Sequence, residues 1–366
     1  MIKKISSILL ALVCLISGGI FLFTANAENE NEHQGLMCIS HRGDSAEFES
    51  NSLEAVVSAF DKGADFVSVN IRKTADGRFV LCDENEAEAS GDELTDVLKA
   101  IGENDVLILD FAPELKDELY TFAKTNGALS SVIFRINDSA KNIKAWIKDK
   151  GDIQVVGVYD SFVVFAAAEH IKALSESGMS LVQYQSKNYF NEMFGSFVSK
   201  AIFSSSSKAV AATYDPDLCG QRRDSEDGWN ELIKQGFSVI ETNNTEAFVR
   251  YIASNKKSLI ELEKIYNKAA EVDTEKYNTV SRENLESAIE TAEYLLSREF
   301  ASSDELQSAV SSVALALENL AFKTGEDTQK GALNITSGKV IAAILVGAVI
   351  LAAQIYTYKK QKTKKK

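Results

Sequence analysis

Short apolar runs of the kind that form buried strands alternate with helical periodicity about eight times over roughly 220 residues of this chain. Strands are predicted at 37–40, 66–71 with a return at 79–81, 106–111, 132–136, 153–158, 181–184, 209–213 and 237–241. Helical patterns fall between them at 53–60, 94–101, 114–124, 140–148, 162–175, 193–202, 229–234 and 246–253. This alternation calls for parallel strands covered by helices, and its number and length fit a closed (β/α)8 TIM barrel better than an open doubly wound sheet. No glycine-rich phosphate loop or GxGxxG follows any strand, which removes the usual nucleotide-binding signal of the open sheet. In such a barrel the active site lies where the strands end. The first strand runs straight into His41-Arg42-Gly43, so an imidazole and a guanidinium are placed there.

The stretch that follows has a definite order. After His41-Arg42-Gly43 come Asn51, an amphipathic helix, Gly63-Ala64-Asp65, a strand, Thr74 and a tight turn at Asp76-Gly77. These residues resemble the start of the glycerophosphodiester phosphodiesterase family, whose pattern is HRG, PENT, GAD..E.D, T.DG and HD. The framework positions match and the chemical ones do not. Ser50 stands for the Glu of PENT, Ser68 and Asn70 for the Glu and Asp of E.D, and Asp83 for the second histidine. A gap of one residue would put Cys82 at that last position instead. Further on, Leu109-Asp110-Phe111-Ala112-Pro113 resembles the family's IEIKP strand, with Asp110 for the Glu and Ala112 for the Lys. The segment 236–243 resembles its closing strand, with Asn243 for the Asp.

The resemblance implies a reaction in which a glycerol hydroxyl attacks phosphorus, two histidines exchange protons, and carboxylates hold a divalent cation. Hard cations need several oxygen ligands, with carboxylates dominating the affinity. Of the positions the resemblance assigns to metal, only Asp110 keeps a carboxylate, so a weak or lost site is expected and no resident cofactor. Ca²⁺ or Mg²⁺ enters only if the chain is an enzyme with an altered metal site, rebuilt for example from Glu47 or Glu49. In that alternative His41, Asp83 and Asp110 carry the reaction; otherwise His41, Arg42 and Asp83 are vestigial catalytic positions. Asp83 is a poor acid at neutral pH unless burial raises its pKa. His41 and Arg42 keep the ability to hold a phosphate through charge-assisted hydrogen bonds.

Beyond the barrel, assigned to 36–255, the strand pattern stops. Segments 258–270, 282–297 and 304–320 are helical, and Ser302 with Glu305 forms a capping box before the last. Residues 285, 288, 289, 292 and 296 line one apolar face, and 306, 310, 313, 317 and 320 another. Tyr277, Ser281, Leu285 and the alanine-rich helices make 257–321 similar to the FIVAR module, a three-helix bundle of Gram-positive surface proteins. A generic helical bundle has nearly the same periodicity. Residues 322–338 read as a linker.

The two ends carry their own signals. Lys3-Lys4, an apolar run and Ala25-Asn26-Ala27 read as a signal peptide over 1–27, with an uncleaved anchor as the alternative. Residues 340–358 are apolar except for Gln354 and Thr357 and suffice for a transmembrane helix. The lysines of 359–366 fix that tail on the cytoplasmic side and the bulk of the protein outside. No Leu-Pro precedes Lys323-Thr324-Gly325 to make a sorting signal, so a retained anchor is read in preference to a processed tail.

The net charge is −14, and these ends contribute only lysines, so the exterior part is more acidic still. Such a surface argues against nucleic-acid binding, which needs basic stripes. Cys38, Cys82 and Cys219 remain after signal cleavage, too few and too irregular for a disulfide framework, with a Cys38–Cys82 bridge left open. His170 has no second ligand at a suitable spacing, and the serines of 204–207 have no GxSxG context. Arg222 and Arg223 read as either a solvated pair or a ligand contact at the barrel mouth.

The chain is therefore expected to be a membrane-anchored exterior protein with a degenerate phosphodiesterase-like barrel. It would bind a phosphodiester or polyol phosphate, or act as a scaffold on the cell envelope. The alternatives are an active phosphodiesterase with an altered metal site and an adhesion or assembly protein.

Overall fold

The computed structural model describes residues 35–83, 85–151, 153–160, 179–187, 202 and 207–323. The helices expected at 162–175 and 193–202, His170, most of 204–207, and the segments assigned to signal peptide and transmembrane helix fall outside those residues, apart from Ile202. No helix among the described residues is long and apolar enough to cross a membrane.

Eight strands run parallel: β1 (Met37–His41), β2 (Phe66–Lys73), β4 (Leu107–Phe111), β5 (Val132–Ile136), β6 (Gln154–Asp160), β7 (Leu181–Gln185), β8 (Lys208–Ala212) and β9 (Phe237–Thr242). Each pairs with the next, and β1 pairs with both β2 and β9, which closes the barrel. A short strand, β3 (Phe79–Leu81), returns antiparallel along β2 through the turn at Asp76-Gly77. Strand side chains alternate between two apolar layers. Ile39, Phe66, Ile108, Ile133, Val156 and Leu181 fill the barrel interior. Their neighbours, such as Val67, Leu107, Phe134, Val182 and Ile240, meet the helices outside. Strands buried on both faces explain why they read as continuous apolar runs.

Helices α1 (Leu53–Asp61), α2 (Leu94–Ala100), α3 (Lys116–Thr125), α4 (Ala140–Lys150) and α5 (Glu226–Lys234) follow their strands as expected, and Pro113–Leu115 makes a single 3-10 turn before α3. The next helix departs from the sequence expectation. In place of two helices at 246–253 and 258–270 there is one, α6 (Thr245–Ala270). No Gly or Pro interrupts 254–258, and the Asn255 side chain is buried, donating to the Ala301 carbonyl. The first half of α6 packs on the barrel through Phe248, Tyr251 and Ile252. Its second half packs through Leu262 and Ala269 against α7 (Thr279–Ser297) and α8 (Ser303–Glu318).

The Ser302–Glu305 capping box is formed in full. The buried stripe of α8 is Leu306, Ala309, Val313 and Ala316, with Val310, Leu317 and Leu320 only partly covered. In α7 it is Leu285, Ala288, Ala292 and Leu295, with Ile289 and Leu296 at the margin. In α7 two alanines sit between Leu285 and Leu295, and in α8 alanines alternate with Leu306 and Val313. Cys38, Cys82 and Cys219 are free and buried, so the Cys38–Cys82 bridge is not formed.

Candidate functional site

The end of β1 is shaped by two consecutive left-handed residues, Arg42 (φ 57°) and Gly43 (φ 84°). A Cβ on Gly43 would lie 2.6 Å from the Ala55 carbonyl carbon, so only glycine fits against α1. The Arg42 N–H donates to the Ser68 carbonyl at 3.0 Å, tying the turn to β2. Asn51, also left-handed (φ 64°), clamps β2 from the other side. Its Nδ2 donates to the Asn70 carbonyl at 3.2 Å, and its Oδ1 accepts from the Asn70 N–H at 2.9 Å. Ser52 caps α1 by accepting from the Ala55 N–H, and Asp65 accepts from the Cys38 N–H at 2.7 Å. Gly43, Asn51 and Asp65, which match the family pattern, are thus backbone devices.

The side chains at the barrel mouth form one ionic network. Arg135 on β5 donates from Nη1 to Asp110 Oδ2 and from Nη2 to Glu241 Oε2, each at 3.0 Å. Glu241 Oε1 lies 3.3 Å from His41 Nδ1, and Ser68 Oγ lies 3.4 Å from the same nitrogen. Tyr214, just past β8, stacks flat on the His41 ring with centroids 3.4 Å apart. At the rim Arg42 Nη1 donates to Asp83 Oδ1. The Glu241 side chain is fully buried, Arg135 is 7% exposed, and Asp110 keeps 27% of its side chain exposed.

Burial alone would raise the Glu241 pKa, but the Arg135 guanidinium and the His41 contact outweigh it and bring it down to about 2. An ionised carboxylate only accepts hydrogen bonds, so His41 Nδ1 carries the proton and directs Nε2 away from Glu241. Asp110 shifts the other way, because burial raises its pKa more than Arg135 lowers it. Burial opposes the charge on Arg135, yet Asp110 and Glu241 together hold it protonated more firmly than an ordinary arginine. Burial, then the Glu241 charge, keep Tyr214 neutral.

The structure brings together His41, Ser68 and, through Arg135 and Glu241, Asp110. Asp83 pairs with Arg42 at the rim. Ser50 is exposed. Glu47 pairs with Lys62 and is 60% exposed, and Glu49 is an exposed loop residue. Arg222 is not solvated: its buried guanidinium meets Glu231 and the Cys219 carbonyl, whereas Arg223 is exposed. Asn243, at the family's closing Asp position, donates its N–H to Asp224, which also accepts from Thr213, Thr242 and Trp229. Arg135, Glu241 and Tyr214 escaped the sequence reading. A lone arginine in VIFRI and a lone glutamate in FSVIET, each the one charged residue of its buried strand, were the available signal.

These residues do not fit the divalent cation that the resemblance implies. Asp110, the one retained carboxylate, already accepts from a guanidinium, and Ser68 and Asn70 bring no charge. A fixed positive charge within the donor set opposes a second cation. Among the described residues no group of three or more His, Cys, Asp or Glu side chains could hold a metal ion.

The Glycerophosphoryl diester phosphodiesterase family profile matches residues 41–117. No curated protein matches the chain. Among solved structures it is similar to a glycerophosphodiester phosphodiesterase from Thermotoga maritima (15% identity, 59% of this chain and 97% of that one, TM-score 0.46). One from Parabacteroides distasonis has 17% identity over 60% of this chain and 98% of that one, TM-score 0.46. An Oleispira antarctica phosphodiesterase in complex with the product sn-glycerol-3-phosphate has 13% identity over 60% and 97%, TM-score 0.44. By this profile, residues 41–117 are similar to the glycerophosphoryl diester phosphodiesterase family.

Proposed function

We propose that this protein is a membrane-anchored exterior protein whose barrel no longer hydrolyses phosphodiesters and serves as a scaffold on the cell envelope. One observation carries the reading: the charged groups at the barrel mouth pair with one another, Arg135 with Asp110 and Glu241, His41 with Glu241, and Arg42 with Asp83. Metal-assisted phosphoryl transfer needs cationic charge free to meet the phosphate and an acid and a base free to move protons. Here the cations are engaged, and the Asp83 carboxylate is tied to Arg42. The Lys-rich C-terminus and the apolar segment before it support the anchoring, and the helical bundle separates barrel from membrane.

The Arg42–Asp83 pair supports a second reading, binding of a phosphodiester or polyol phosphate without hydrolysis. Both side chains are partly exposed, 24% and 34%, and a rim ion pair in contact with water is cheap to open. An anion there takes the place of the Asp83 carboxylate on Arg42. One set of assays addresses both readings: the full-length chain, purified in detergent, is incubated with glycerophosphodiesters and Ca²⁺ or Mg²⁺, and sn-glycerol-3-phosphate binding is titrated. The expected result is no turnover above a denatured control. Turnover that disappears in His41→Ala would overturn the scaffold reading in favour of an enzyme. Binding that tightens in Asp83→Asn and vanishes in Arg42→Ala would establish the second reading, and no binding in either variant would dismiss it.

A further inference from the structure

Deepening the reading above, and resting on it for a barrel without metal-assisted hydrolysis, we propose that Arg135 is the resident cation of the barrel. Its guanidinium occupies the space between Asp110 and Glu241 and excludes a divalent ion from it. The guanidinium spans two carboxylates that belong to strands far apart in the sequence, β4 and β9. Each accepts at 3.0 Å, and Arg135 is held by these bonds inside the barrel with 7% of its side chain exposed. Ca²⁺ would sit at about 2.3–2.6 Å from its oxygens, so the two ions compete for one space.

The surrounding donors make the substitution specific. Asn70 lies in register with Asp110 on the adjacent strand, and the Ser68 hydroxyl stands beside His41, close to Glu241. With the guanidinium gone, two carboxylates and these neutral oxygens would face one buried space. That is an oxygen-rich, doubly negative set of the kind hard cations take. With it present, each carboxylate already has a cationic partner and the net charge of the set is cut from two negative to one, which leaves little for Ca²⁺ or Mg²⁺ to gain. Fully buried Glu241 is the partner that makes the arginine necessary, because a buried unpaired carboxylate is strongly disfavoured.

The test titrates Ca²⁺ calorimetrically into the full-length protein in detergent, as wild type, Arg135→Gln and Arg135→Lys, with thermal unfolding followed in the same samples. Wild type and Arg135→Lys should show no saturable site. Arg135→Gln should gain one at least about tenfold tighter than any wild-type binding, in the range of weak extracellular calcium modules, and lose it again when Asp110→Asn is added. Should Arg135→Gln prove too unstable to titrate, Ca²⁺ at roughly 10 mM should raise its melting temperature and leave that of wild type unchanged. Saturable, Asp110-dependent Ca²⁺ binding by wild type would overturn the assignment. So would an Arg135→Gln protein that neither binds Ca²⁺ nor is stabilised by it. Turnover is scored separately: hydrolysis by a wild-type protein that binds no Ca²⁺ would overturn the non-hydrolytic reading and leave the role of Arg135 standing.

Discussion

Glu241 holds the centre of the barrel mouth with two different partners, the Arg135 guanidinium and the His41 imidazole. Its pKa lies at about 2, below the ordinary 4.5, so the folded protein binds this proton less readily than the unfolded chain. A depressed carboxylate stabilises the fold above its unfolded pKa, and that stabilisation is lost as pH falls towards the folded value. Between about pH 4.5 and 2 the wild type should therefore lose roughly 3 kcal/mol from this group alone. Asp110 acts in the opposite sense: with its pKa raised, the charged form is disfavoured in the fold, and protonation relieves that cost as pH falls. Glu241→Gln should flatten the acid limb of a urea-unfolding series and cost about 3 kcal/mol near neutral pH, because Arg135 loses one of two buried counter-charges. An unchanged acid limb would show that Glu241 is not the group that titrates. Neither Arg135 nor Glu241 was legible as a site residue, since pattern matching looks for charge where a family keeps it and this pair sits on strands otherwise read as apolar core.

The turn between β1 and α1 explains why so much of the fold was legible. Gly43, Asn51, Gly63, Asp65 and Gly77 can be recognised because the backbone requires them: left-handed dihedrals at the four non-aspartate positions, and a carboxylate that receives the Cys38 N–H. Such needs are set by the backbone and not by the chemistry of the site, so the framework of 41–77 is readable although Ser68, Asn70 and Asp83 differ from the charged or imidazole groups of the family pattern. Gly43→Ala would force a Cβ into the Ala55 backbone at a positive φ. A loss of about 1–3 kcal/mol is expected, a fall in melting temperature of roughly 2–12 °C for a domain of this size. A variant that melts with the wild type would mean that the turn adapts at little cost. The misplaced break in α6 has the same kind of explanation. The polar residues 254–257 fall between the two expected helices, but Asn255 there is a buried residue whose amide reaches the start of α8, a tertiary contact that local sequence does not announce.

Across the whole molecule, α6 makes barrel and bundle one body. Tyr251 on its barrel half donates its hydroxyl hydrogen to Asn230 Oδ1 on α5 at 2.8 Å and accepts from the Ser303 N–H at 3.0 Å. Lys234 pairs with Asp304 and Lys208 with Glu299 across the same junction. Calorimetry of the full chain should accordingly give one unfolding transition for residues 35–323, not two. Tyr251→Phe should lower it by about 1–3 kcal/mol, since a buried N–H and an amide oxygen lose their partner. Two well-separated transitions in the wild type would refute the coupling.

The chain leaves the bundle stapled rather than loose. The Asn278 N–H donates to the Ala321 carbonyl, the Lys323 N–H to the Lys276 carbonyl, and Phe322 stacks on Tyr277 at 4.9 Å. A pull on the C-terminal tail therefore reaches the bundle at the loop between α6 and α7, beyond the last turn of α6 and about 20 Å from where that helix leaves the barrel. Tension there is transmitted along a continuous helix into the barrel wall, so a tug that displaces the tail turns the barrel with it, as a handle turns the head of a tool.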